Sequence, residues 1–132
     1  MTSPQRALFN PPALPAPPGY SQVAIVPCGT LVAIAGQVAL DDHGALVGPG
    51  DAEAQAIQVF RNLLAALAAA GAEPRHLIKL TTFVTDMAAL SAFRAARDSF
   101  LDPAHPPTST LVQVQRLFRP EFLIEIEALA ML

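Results

Sequence analysis

The chain has 132 residues, a formal charge of −3 and an isoelectric point near 5.4. That size fits one domain, 1–132, and the acidic balance, with one Tyr and no Trp, excludes a basic nucleic-acid footprint and a base-stacking platform. The apolar fraction of 52% exceeds what one small core needs, yet no window approaches the ~20 apolar residues of a membrane-spanning helix, so a face hidden in an oligomer is expected.

Six prolines fall between Pro4 and Pro18. They predict an extended or polyproline-like arm of about residues 1–18, with its end at Gly19-Tyr20-Ser21 pinned to the body. The opening MTSPQRALFNPP has no apolar export segment. With a single cysteine, Cys28, and hence no internal disulfide, the expected location is the cytoplasm. Val23 to Pro27 and Leu31 to Leu40 read as two strands joined by a turn at Cys28-Gly29-Thr30.

Asp51 is a helix cap, and Phe60, Leu63, Leu64 and Leu67 form a stripe that ends at Ala70, with Gly71 as the stop. His76 to Thr85 (HLIKLTTFVT) is a strand by its β-branched and aromatic content. Asp86 caps a second helix carrying Met87, Leu90, Phe93 and Phe100 on one side. After a proline-closed loop, Thr110 to Leu117 and Phe122 to Leu129 are the last two strands. The order β-β-α-β-α-β-β predicts an α+β two-layer domain, one sheet with both helices on one face.

The last strand says most about assembly. Phe122, Ile124, Ile126 and Ala128 share the face expected under the helices. The other face carries Leu123, Glu125, Glu127 and Leu129, two leucines among two carboxylates. That mixture suits a subunit interface or a pocket between subunits.

Several chemistries are weighed and set aside. A nucleophilic Ser109 needs a base and an orienting group, and His43, His76 and His105 form no such set. The same isolated histidines and the lone Cys28 offer no metal-ligand spacing, so no metal is expected. Gly48-Pro49-Gly50 lacks the strand-loop-helix setting of a phosphate loop.

Taken in order, Pro18-Gly19-Tyr20-Ser21-Gln22, Ala35-Gly36-Gln37, Ala54-Gln55, Asn62, Ala70-Gly71, Ile78 to Asp86 and Ile124-Glu125-Ile126-Glu127-Ala128 resemble the RidA/YjgF family of enamine and imine deaminases. The resemblance covers about residues 10 to 130. It implies a chorismate-mutase-like fold, a homotrimer around a central barrel, and small-molecule sites in the clefts between subunits, with no cofactor. Tyr20 is then a pocket residue and Glu125 the carboxylate that positions or activates water, and these two are the catalytic candidates.

One departure is central. The family reads Pro-x-Arg-[Ser/Thr] at the entry to the penultimate strand, with the arginine gripping the substrate carboxylate. Here the segment is Pro107-Thr108-Ser109-Thr110, with Ser109, or Thr108 after a one-residue shift, in the arginine's place. A hydroxyl is a poor substitute for a bidentate guanidinium. Thr108, Ser109, Thr110, Ala35 and Gly36 become substrate-binding candidates, and Arg94, where the family keeps an asparagine, is the candidate replacement cation. The expected function is hydrolytic deamination of an enamine or imine, or a related small hydrolysis, with altered specificity. The alternatives are a non-catalytic binding or regulatory trimer and, against the acidic charge, a ribonuclease.

Overall fold

The computed structural model describes residues 6–132. Six strands and two helices appear in the order β1 (Ala7–Phe9), β2 (Val23–Ile25), β3 (Leu31–Gln37), α1 (Ala52–Ala69), β4 (Leu77–Val84), α2 (Leu90–Phe100), β5 (Thr108–Gln113) and β6 (Ile124–Met131). Four strands make the main sheet in the order β3-β6-β4-β5. β6 runs antiparallel to both β3 and β4, and β4 pairs in parallel with β5. A parallel pair needs a crossover, and α2 is that crossover.

The helices form as their caps dictate. Asp51 accepts a hydrogen bond from the Ala54 N–H at 3.0 Å, and the last turn closes on Ala70 just before Gly71. Asp86 also caps, but what it caps is a short 3-10 turn, Met87–Ala89, and α2 proper begins at Leu90. α1 packs on β6 and β3, and α2 packs on α1. Phe60 of α1 lies at 5.9 Å and near-parallel to Phe100, and at 6.0 Å from Phe93, so three rings join the helices. Beneath them Leu80, Val84, Ile124, Ile126 and Ala130 are fully or almost fully buried. The alternation expected in β6 is present: Ile124, Ile126 and Ala128 are buried, whereas Glu125 and Leu129 are partly exposed and Glu127 is exposed.

Three expectations need correction. The proline arm contributes a strand: Ala7–Phe9 pairs antiparallel with Val23–Ile25 in a separate two-stranded ribbon. β2 therefore lies outside the main sheet and makes no hairpin with β3. The reason is at the chain end, where Thr30 and Leu132 exchange both backbone hydrogen bonds, at 2.9 and 3.0 Å. β3 is thereby committed to β6, and β2 finds its partner in the arm. The last two strands also shift, starting at Thr108 rather than Thr110 and at Ile124 rather than Phe122.

Thr82 is fully buried, and its hydroxyl has no hydrogen-bond partner among the described residues. An unpaired buried hydroxyl costs stability. Thr82→Val, nearly the same shape, is expected to raise the unfolding free energy by about 1 kcal/mol. A thermal melt at fixed protein concentration checks this. No helix among the described residues is long and apolar enough to cross a membrane.

Candidate functional site

The end of the arm is fastened to the start of β5. Ser21 is buried, its N–H donates to Pro107 O at 3.0 Å, and its hydroxyl donates to Pro106 O. A bridge between Ser21 and Thr108 continues this pairing in parallel. These bonds set Pro18-Gly19-Tyr20 over α2 and the first residues of β5. Between them is a small cavity of about 70 Å³ lined by Pro18, Tyr20, Leu90, Phe93, Arg94, Arg97, Ser109 and Leu111.

Three of the sequence candidates, Tyr20, Arg94 and Ser109, thus meet in one place. Thr108 and Thr110 do not join them. Successive strand residues point to opposite faces, and Ser109, paired with the buried Leu80, looks toward the helices. Thr108 and Thr110, paired with Lys79 and Thr81, look the other way, and the Thr108 hydroxyl donates to Ile78 O at 2.7 Å. Nor does any histidine line this cavity: His105 is held by Asp102 at 2.8 Å and borders a different one with Arg6 and Arg75.

Glu125 belongs to a second cluster. On the sheet face away from the helices, β3 bulges between Ile34 and Gln37, so that Ala35 and Gly36 fall where the register with β6 shifts. Gly36 lies directly against Glu125: a Cβ at this position would collide with the Glu125 carboxylate. Burial first, and then the neighbouring Glu127, push the Glu125 carboxyl above the usual carboxylate range. Ala33, Ala35, Lys79, Thr81, Glu127 and Leu129 continue this face around a shallow cavity of about 460 Å³.

The candidate residues therefore fall into two groups on opposite faces of one sheet. Tyr20, Arg94 and Ser109 open on the helix side, whereas Ala35, Gly36 and Glu125 open on the other. Within one chain these groups do not share a pocket.

One charged lining residue, Arg97, is absent from the sequence-based candidates. Arg97 is 6% exposed although it carries a charge. It occupies the apolar side of α2, seven residues after Leu90 and three before Phe100, a position whose spacing calls for a hydrophobe. That misfit is the signal by which the sequence could have disclosed it.

Comparison with known proteins places this architecture. A family model described as Endoribonuclease L-PSP matches residues 11–132. A RutC family protein from Synechocystis is 39% identical over 119 residues, 89% of this chain and 90% of the relative. The 2-iminobutanoate/2-iminopropanoate deaminase of Salmonella typhimurium is 33% identical over 107 residues, covering 80% and 82% of the two chains. Among solved structures, a Rid-family protein of unknown function from Yersinia pestis superposes with a TM-score of 0.88 at 39% identity, covering 96% of this chain and 98% of its own. RidA from an Antarctic Psychrobacter gives 0.72 at 29% identity, covering 96% and 100%. The matched fold and the extent of these matches establish that this chain belongs to the RidA/YjgF family, also described as Endoribonuclease L-PSP.

Proposed function

We propose that the protein is a cytoplasmic homotrimer that hydrolyses a small enamine or imine at sites built between subunits, with a specificity altered by Ser109. The observation that carries this reading is the division of the candidate residues between two sheet faces. A site needing both groups is completed only when the Glu125 face of one copy meets the Tyr20–Ser109 cavity of another. The partly apolar outer face of β6 supports such an association, because Leu129 and the cavity around Ala33 and Ala35 remain uncovered in the single chain. The deaminase from Salmonella supports the reaction class.

The chemistry asks for little beyond placement. Water adds to the carbon of C=N, the nitrogen takes up protons, and ammonia leaves as the carbonyl forms. Orienting that water and accepting its proton are tasks for one carboxylate. Glu125, partly desolvated and beside Glu127, has a proton affinity raised above that of an ordinary glutamate, the direction that strengthens a general base. Tyr20 closes the cavity from the arm side. The acidic net charge supports small-molecule rather than nucleic-acid substrates.

The test couples an amino-acid oxidase, which releases imines from a set of amino acids, to measurement of imine decay. Acceleration above the buffer rate with at least one imine is expected. No acceleration with any of them, alongside retained ligand binding, would establish the non-catalytic trimer instead. Cleavage of RNA by metal-free, purified protein would also contradict the proposal.

A further inference from the structure

Where the family resemblance places a guanidinium on β5, this chain has Ser109, yet the cavity is not without a cation. Arg97 reaches it from α2 with a side chain only 8% exposed. Its Nε donates to Asp98 at 2.9 Å, and the guanidinium lies 5.7 Å from the centre of the Phe93 ring. Among the described residues Asp98 is its only hydrogen-bond partner, so the Nη1 and Nη2 donors have no protein acceptor. A buried guanidinium keeps five donors in a fixed fork and cannot shed its charge. Among the described residues the fully buried polar side-chain atom without a partner is Thr82 Oγ1, so both Nη atoms of Arg97 keep some solvent contact and are open to a ligand.

The chain goes to some length to hold the group there. Gly19, at φ +87°, covers it so closely that a Cβ would collide with Nη2 and Cζ. Any side chain at position 19 would both strain the backbone and displace the guanidinium. Phe93 supplies its ring to one side, Asp98 fixes Nε, and Arg94 lines the same cavity one helical turn earlier. Ser109 leaves on the β5 side the space that a long side chain would fill.

We infer that Arg97 is the anion receptor of this pocket, binding the carboxylate of a short-chain ligand through its free Nη1 and Nη2 edge, with Gly19 holding it in place. The cavity volume of about 70 Å³ in one chain sets the ligand class. It admits a carboxylate and one or two carbons, with the remainder of the ligand directed outward. The inference rests on reading this cavity as half of a ligand site and adds a residue and a ligand charge to that reading. The guanidinium is relocated from strand to helix, so the ligand's anionic end is retained while its angle of approach changes.

Calorimetric titration with sodium pyruvate and with pyruvamide, its neutral counterpart, tests the inference. Wild type is expected to prefer pyruvate by roughly tenfold or more, the effect of a charge-assisted pair. Arg97→Gln should abolish that preference while leaving pyruvamide affinity within about twofold. Arg97→Gln/Ser109→Arg should regain it, a rescue that a merely structural arginine would not show. Should Arg97→Gln fail to fold, Gly19→Ala, which keeps Arg97 in the sequence but takes its space, is expected to weaken pyruvate selectively. Equal binding of the two probes by wild type, or pyruvate binding unchanged in the folded variant, overturns the inference. The imine-decay assay is read separately. Absent hydrolysis with Arg97-dependent pyruvate binding would remove the hydrolase and leave the anion receptor. Hydrolysis and pyruvate binding both indifferent to Arg97→Gln would do the reverse.

Discussion

Replacing Gln55 by methionine is expected to destabilise the fold by about 3 kcal/mol or more, out of proportion to a change that conserves volume. Gln55 sits in the first turn of α1 with no exposed surface. Its Nε2 donates to Gly48 O at 3.1 Å and Glu121 O at 2.9 Å, and its Oε1 accepts from the Leu123 N–H at 2.9 Å. One amide thus satisfies three backbone groups, from the loop before α1 and the loop before β6. Methionine fills the space but leaves those groups without partners. Each orphaned buried group costs about 1–3 kcal/mol, less where water can reach it. Urea unfolding at fixed protein concentration, with an unchanged m-value, is the measurement. A loss under 1 kcal/mol would mean that water replaces the amide.

The second large effect concerns catalysis. Glu125→Gln keeps the shape beside Gly36 but removes the proposed base, and kcat/KM for the best imine is expected to fall by about 10²-fold or more. Gly36→Ala should lower activity as well, because the added methyl takes the space of the Glu125 carboxylate. The pH dependence follows from the same environment. Burial and Glu127 favour the protonated form of Glu125, so the activity carried by its ionised form should rise with pH through a midpoint above that of an ordinary glutamate. Glu127→Gln removes the repulsive neighbour and should move that midpoint down. The consequence for stability has the opposite sign. A carboxyl with a raised pKa in the folded state is disfavoured once ionised, so stability contributed by this site falls as pH rises from the unfolded pKa through the folded one. A pH–rate profile insensitive to Glu127→Gln would detach Glu125 from the reaction.

Much of the fold is written in local chemistry. Asp51 and Gly71 frame α1, the Phe60–Leu63–Leu67 stripe gives its buried side, and the alternation from Phe122 to Leu129 gives both faces of the central strand. Where the reading failed, pairing depends on distant partners. Ala7-Leu8-Phe9 is three residues beside prolines, too short to declare a strand until Val23–Ile25 is opposite it. The turn at Cys28–Thr30 suggests a hairpin, and only the backbone exchange between Thr30 and Leu132 reveals that β3 belongs elsewhere.

The site was legible as composition more than as geometry. Family motifs pointed to Tyr20, Ser109 and Glu125 individually. The register was needed to show that Ser109 faces the helices while Thr108 and Thr110 do not. Arg97 escaped because a cation on the apolar side of a helix reads as an exception in the stripe, and its meaning depends on Gly19, which lies far away in sequence. Gln55 was visible as part of the family motif Ala54-Gln55, but its bracing role was not, since its three backbone partners belong to segments brought together only by folding.

The central claim is that a working site takes Glu125 from one copy and the Tyr20–Ser109 cavity from another, and mixed assemblies test it most directly. Glu125→Gln and Ser109→Trp, the second filling the cavity, are each expected to be inactive alone. After the two are unfolded and refolded together, about a quarter of the sites should combine both intact halves, as random mixing across a closed cyclic interface requires, and imine hydrolysis should return to that extent. No recovery in mixtures shown by mass spectrometry to contain both subunits in one assembly would contradict the claim.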